Sequence, residues 1–192
     1  SFKFMDKYWP AEAVVKHVST SQWGTIVALD ESTLQEDLLY AGTDDGVIAV
    51  TENAGGSWRQ TKSFPGVPDY TFVSDVQADK FDANVVYAVF NNMKMDDFKP
   101  YVLKSTDKGK TWTSIAGNLP ENHPVHTIQQ DFKNPNLLFA GTEFGFFFTI
   151  LFHHLRLVLY EESDDVLAAL SSGHEWMTQE LFCIWSFLRL FD

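Results

Sequence analysis

Cysteine is almost missing from this chain: Cys183 stands alone, so no internal disulfide and no paired Cys-x-x-Cys metal or redox site is encoded. Arginine is nearly as scarce, with Arg59, Arg156 and Arg189 the full set. No stretch reaches the ~20 consecutive apolar residues that a membrane-crossing helix requires, because His153, His154 and Arg156 interrupt the best one. Ser1–Asp6 lacks the apolar core of a signal peptide. There is no G-x-G-x-x-G run, no phosphate-cradling P-loop and no G-x-S-x-G elbow, which leaves nucleotide and α/β-hydrolase chemistry without support. Positive charge is also in deficit, and the formal net charge of -12 repels nucleic acid and anionic membrane surfaces while favouring a basic or neutral partner.

What the chain does contain is a repeated string ending in tryptophan. Thr51-Glu52-Asn53-Ala54-Gly55-Gly56-Ser57-Trp58 and Ser105-Thr106-Asp107-Lys108-Gly109-Lys110-Thr111-Trp112 both read S/T-x-D/N-x-G-x-S/T-W. The short Asp or Asn side chain can accept turn N–H groups, Gly takes a positive φ, and the hydroxyl residues complete the local bonds. The Trp is expected to anchor each hairpin by burial. The string resembles the Asp-box of bacterial neuraminidase repeats, with Thr51, Asn53, Gly55, Ser57 and Trp58, and Ser105, Asp107, Gly109, Thr111 and Trp112, in the structural positions.

These strings lie within a longer repeat. Ile26-Val27-Ala28-Leu29-Asp30 leads to Leu39-Tyr40-Ala41-Gly42-Thr43. Val76-Gln77-Ala78-Asp79 leads to Val86-Tyr87-Ala88-Val89, and Ile128-Gln129-Gln130-Asp131 leads to Leu138-Phe139-Ala140-Gly141-Thr142. The aromatic markers Tyr40, Tyr87 and Phe139 are 47 and 52 residues apart, close to the roughly 40–50 residues of a four-stranded propeller blade. Val, Ile, Thr, Tyr and Phe separated by Gly, Asn, Asp and Pro are strand-and-turn composition. The fold class read from this is all-β: a partial β-propeller of about three four-stranded blades over 21–150, after a lead-in over 1–20. The third copy lacks its tryptophan string after Ile150.

From residue 151 the texture changes. Ser163-Asp164-Asp165 reads as a helix start, and Thr178 as a cap before apolar residues at helical spacing, Leu181, Phe182, Trp185 and Leu188. The segment 151–192 is read as foreign to the propeller, either a helical appendage or the product of a shifted frame or truncated gene. An arc of three blades leaves two outer faces bare.

The run Ser19-Thr20-Ser21-Gln22-Trp23-Gly24-Thr25-Ile26, with Tyr40–Gly46, Lys99–Ser105 and Gly141–Gly145, resembles secreted bacterial proteins with sortilin-type propellers, often labelled glycosyl hydrolases. The resemblance covers residues 18–150. It implies further blades as partners, a protein, peptide or glycan ligand, no cofactor, and work outside the cell or in its envelope.

Blade topology locates a site. The tryptophan hairpins join strands three and four, so the turns between strands two and three emerge at the opposite end with the links between blades. That end carries Asp44, Asp45, Asp96, Asp97 and Glu143, the candidate ligand-binding residues. With the family resemblance, two functions follow: a non-catalytic sortilin-like binding scaffold, or a fragment of a sialidase- or xyloglucanase-like glycoside hydrolase with an incomplete active site; hydrolysis needs two carboxyl groups roughly 5–10 Å apart. A sialidase site would need clustered arginines to clamp a carboxylate, and three scattered arginines do not supply it. His174-Glu175-Trp176-Met177-Thr178 starts like a zinc motif but has Thr where the second His belongs, and adjacent His153 and His154 would point apart in a strand. No metal site is expected.

Overall fold

The computed structural model describes residues 24–148 with their side chains, together with the backbone of Thr149 and of the short strands at 2–4, 7–9 and 155–158. These belong to a compact unit ending at Leu159. The second unit, Tyr160–Asp192, lies outside the described residues, and so do the helices expected there.

A hairpin of β1 (Phe2–Phe4) and β2 (Lys7–Trp9) is followed by three four-stranded sheets. Blade one is β3 (Ile26–Glu31), β4 (Leu39–Thr43), β5 (Ile48–Thr51) and β6 (Arg59–Thr61). Blade two is β7 (Phe72–Ala78), β8 (Val86–Asn92), β9 (Asp97–Ser105) and β10 (Thr113–Ser114). Blade three is β11 (Val125–Gln130), β12 (Leu138–Thr142), β13 (Gly145–Thr149) and β14 (Leu155–Val158). Every strand pairs antiparallel with the next in sequence. Among the described residues the one helical element is a 3-10 turn, Met93–Met95. In blade three the sheet continues past residue 151: β14 pairs with β13 although no tryptophan string precedes it.

The inner strands of the three blades share one irregularity. The ladder slips by one residue at Val27 in β3, Ser74 in β7 and His126 in β11, a bulge that bends each strand at the same place. Downstream, Ser32 Oγ accepts the N–H groups of Leu34 and Gln35, Asp79 Oδ1 those of Phe81 and Asp82, and Asp131 Oδ1 those of Lys133 and Asn134. Ser32 therefore holds the place of Asp79 and Asp131. The repeat as read in sequence gave that place to Asp30, two residues early, because a serine can close the same turn and only the acidic residue was matched.

Asp30 has a different task. Its Oδ2 accepts the Ala78 N–H of blade two at 2.7 Å, and Gln77, at the same register position in β7, presents Oε1 to the Gln130 N–H of blade three at 2.6 Å. Apolar packing completes each interface. Tyr40, Ile48 and Val50 of blade one meet Val73, Val86, Ala88, Phe90, Leu103 and Trp112 of blade two, with Phe64 from the link between them. Tyr87, Val89 and Val102 then meet Val125, Ile128, Leu138, Ala140 and Phe147 of blade three. Each Val, Leu, Ile or Phe among them contributes about 1.5–3 kcal/mol on full burial. The Ala-Gly-Thr of β4 follows from this closeness, since a Cβ at Gly42 would overlap the Val73 side chain.

The two tryptophans do not share a fate. Trp112 is 7% exposed, edge-on to Phe64 with ring centroids 5.7 Å apart. Trp58 is 44% exposed, which corrects the expectation that burial anchors both hairpins. Trp112 is covered by blade one, whereas no sheet among the described residues stands on the corresponding side of Trp58.

Candidate ligand-binding end of the propeller

Strand alternation brings the β4–β5, β8–β9 and β12–β13 turns to one end of the sheets, together with the links 62–71 and 115–124. All five acidic residues singled out in the sequence lie in these turns or beside them. Most of them are engaged by neighbouring protein groups. Asp44 Oδ1 accepts the N–H groups of Gly24 (3.0 Å) and Thr25 (2.9 Å), which ties the turn to the entry of β3. Asp45 Oδ1 accepts the Thr43 hydroxyl at 2.5 Å, and Thr43 Oγ1 in turn accepts the Val47 N–H. Asp96 has φ +59° and closes the 3-10 turn through its own N–H to Met93 O. Asp97 Oδ2 takes the Tyr101 hydroxyl at 2.6 Å and the Asn92 amide at 3.1 Å. Desolvation pushes the Asp97 carboxyl up, but hydrogen bonds from Tyr101, Asn92 and the Lys99 N–H outweigh it and hold the group below the usual carboxylate range.

Glu143 belongs to a chain of contacts that joins blades two and three. The Met93 N–H donates to Asn91 Oδ1 (3.0 Å), which turns the Asn91 amide NH2 toward His126 Nδ1 (3.2 Å). A ring nitrogen that accepts there leaves the proton on Nε2, and Nε2 lies 2.9 Å from Glu143 Oε2. The bulge in β11 places His126 in this bridge. Phe144, next in the turn, is exposed on one side and edge-on to the His123 ring at 5.5 Å on the other. Met95, Phe98 and Tyr70 are further exposed apolar side chains in the loops and strand ends of this end.

Sequence reading assigned no role to Asn91, His126 or Asp75. Asp75 is the carboxyl that burial pushes up, despite hydrogen bonds to its Oδ2 from the Thr127 hydroxyl (2.7 Å) and the Ile128 N–H (2.9 Å). It lies on the inner strand and latches blade two to blade three. A signal existed for His126 alone, as the odd residue of the three bulge positions. No cluster of three or more His, Cys, Asp or Glu able to hold a metal occurs among the described residues.

A cleft of about 190 Å³ lies at the other end, between the turns of blades two and three, lined by Asp79, Phe81, Tyr87, Lys104 and Asn136 among others. Its buried carboxylate and phenol are paired. Asp79 Oδ2 accepts both the Tyr87 hydroxyl (2.9 Å) and the Gln130 amide (2.7 Å), and burial together with that carboxylate raises the Tyr87 pKa.

Known proteins resemble this architecture. A xyloglucanase from Paenibacillus sp is 27% identical over 121 residues, covering 58% of this chain and 12% of the relative. An ancestral GH74 enzyme matches with a TM-score of 0.58 at 16% identity, over 74% of this chain and 19% of that one. The chain folds as part of a β-propeller. The GH74 xyloglucanase from Xanthomonas campestris gives a TM-score of 0.54 at 17% identity, over 86% of this chain and 27% of its own. No family model matches. This propeller chain spans about an eighth of the curated relative's length.

Proposed function

We propose that this chain is a non-catalytic propeller segment, of the sortilin-type and Asp-box kind, that binds an extended glycan, peptide or protein segment through the loops opposite the tryptophan hairpins. The observation that carries this reading is the engagement of four of the five candidate carboxylates, those of Asp44, Asp45, Asp97 and Glu143, by neighbouring protein groups. A glycosidase needs one carboxyl kept protonated near working pH as general acid. Asp97 is instead held low, Asp44 ties its turn to the entry of β3, Asp45 latches its own turn, and Glu143 is bridged to His126. What the same loops leave exposed is a set of apolar side chains, Phe144, Phe98, Met95 and Tyr70, of the kind that sugar rings and peptide side chains stack on. The sortilin-type resemblance adds a setting outside the cell or in its envelope.

The likeness to a xyloglucanase favours a second reading, a segment of a glycoside hydrolase whose remaining groups lie on other blades. Calorimetric titration with xyloglucan oligosaccharides, run beside a reducing-sugar assay, separates the two. Binding without hydrolysis, weakened about tenfold by Phe144→Ala, is the expected result. Hydrolysis that disappears in Asp44→Asn or Glu143→Gln would install the second reading instead.

A further inference from the structure

The bulge residue of β11 links two blades through a single imidazole. His126 Nδ1 receives the Asn91 amide NH2 (3.2 Å), and its Nε2–H points to Glu143 Oε2 (2.9 Å). Asn91 is not free to turn over to suit the ring. Its Oδ1 accepts the Met93 N–H (3.0 Å), and its NH2 also lies 3.6 Å from Met93 Sδ, so both ends of the amide are committed. Met93 opens the 3-10 turn Met93–Met95, and Asn92 before it supplies no side-chain cap. Asn91 therefore holds the start of that turn with its oxygen and fastens it to blade three with its nitrogen.

A neutral imidazole satisfies both partners, whereas an imidazolium satisfies one. Both ring nitrogens of the charged form are donors. Nε2–H keeps its bond to Glu143, now charge-assisted and stronger. Nδ1–H, in contrast, meets the Asn91 NH2 donor to donor. Relief comes in two ways. The amide swings away from the ring, which unfastens the turn from blade three, or it flips to offer Oδ1, which takes the acceptor from the Met93 N–H. Either way one link between Met93, Asn91 and His126 is lost. The other ionisable groups of this corner are engaged elsewhere: Lys94 Nζ lies over the Phe72 ring at 5.2 Å, Asp97 holds Tyr101 and Asn92, and Asp75 holds Thr127 and Ile128. His123, edge-on to Phe144 and Phe147, is the second imidazole at this end.

From this geometry we infer that His126 is an acid-sensitive latch, whose protonation releases the Met93–Met95 turn of blade two from blade three while Glu143 keeps the ring in place. Imidazole is the side chain that ordinarily changes charge between about pH 5 and pH 8. The turn carries the exposed Met95, and Phe98 follows it, so release rearranges two of the apolar side chains at the loop end. The latch regulates the end to which ligand binding is assigned above, but it does not rest on that reading and is observable without a ligand.

Methionine-methyl and histidine-ring NMR of the full, ligand-free chain from about pH 7.5 to about pH 5.5 tests this. With four methionines and six histidines, each signal can be assigned by substitution. The expected result is one transition, seen at the Met93 methyl and at the His126 ring with a common midpoint, while near-UV circular dichroism stays constant. His126→Gln should remove the transition from the Met93 methyl. Asn91→Asp supplies a carboxylate that accepts from the Met93 N–H and from Nδ1–H together, so the ring midpoint should rise by about one unit or more and acid should no longer disturb the Met93 methyl. Near-UV circular dichroism checks that both variants fold, and His126→Asn replaces His126→Gln if it does not. A Met93 methyl that stays still, or moves with a midpoint other than that of the His126 ring, overturns the inference. A transition that survives His126→Gln overturns it too and passes the effect to His123. An Asn91→Asp chain whose Met93 methyl still follows acid, or loss of the near-UV signal across the same range, overturns it equally.

Discussion

In the hairpin of blade one, Thr51 Oγ1 accepts the Gly55 N–H (2.9 Å) and Asn53 Oδ1 accepts the Ser57 N–H (2.9 Å). In the hairpin of blade two, Ser105 Oγ accepts the Gly109 N–H (2.8 Å) and Asp107 Oδ1 accepts the Thr111 N–H (2.8 Å). Both turns place two consecutive residues at positive φ, Ala54 and Gly55 in one and Lys108 and Gly109 in the other. The local chemistry is thus shared, and the surroundings differ. Blade two's hairpin is gripped by Arg59 and its Trp is covered by Phe64 and the face of blade one, whereas Trp58 is left facing solvent. Turn residues set the shape of the hairpin, and the neighbouring sheet supplies most of the energy that holds its tryptophan.

The largest contrast should come from the tryptophans. Trp112→Ala empties a buried site and should cost about 3–5 kcal/mol in urea unfolding, while Trp58→Ala should cost under about 1 kcal/mol. Equal costs would erase the distinction between the hairpins. Arg59→Ala strips two charged hydrogen bonds from the blade-two hairpin and should cost about 1.5–3 kcal/mol by the same assay, with no change at the hairpin of blade one. Gly109→Ala forces a Cβ to within 3.2 Å of the Trp112 ring at φ +73°, whereas at Gly55 the nearest atom is 3.6 Å away. Both should destabilise by about 1 kcal/mol, Gly109 by somewhat more.

The smallest contrast is in acid. Desolvation pushes the Asp107 carboxyl up, but hydrogen bonds from Thr111, Ser105 and Lys110 win and bring it down to about 2. A carboxyl whose folded pKa is depressed adds stability above its unfolded value near 3.8 and loses it as pH falls through about 2. Asn53 in the other hairpin has no proton to exchange. Asp107→Asn should therefore flatten the acid limb of stability between about pH 4 and pH 2, and Asn53→Asp should steepen it. Thermal melts across that range are the check.

The three sheets were legible in the chain because alternation, turn residues and the repeated tryptophan strings all point the same way. What stayed hidden depended on neighbours. The exposure of Trp58 is set by which sheet stands beside it, a property that no local string contains. The Asp30 and Ser32 positions were confused because two residue types close one turn. At the candidate site, the residue types at the loop end were visible, but their engagement was not: Asp44 reaches back to Gly24 and Thr25, and Glu143 reaches His126, across separations that spacing does not reveal.

The recurrent bulge has a consequence of its own. At Val27, Ser74 and His126 one residue per repeat drops out of the ladder without altering the pairing on either side. An apolar, a hydroxyl and an imidazole side chain occupy the slot in turn, and the last two reach toward the adjoining repeat, Ser74 to Val125 O and His126 to Asn91. Each blade therefore owns a variable address at its inner edge, where the side chain can change, and with it the link to the adjoining blade, while the strand pairing on either side is kept.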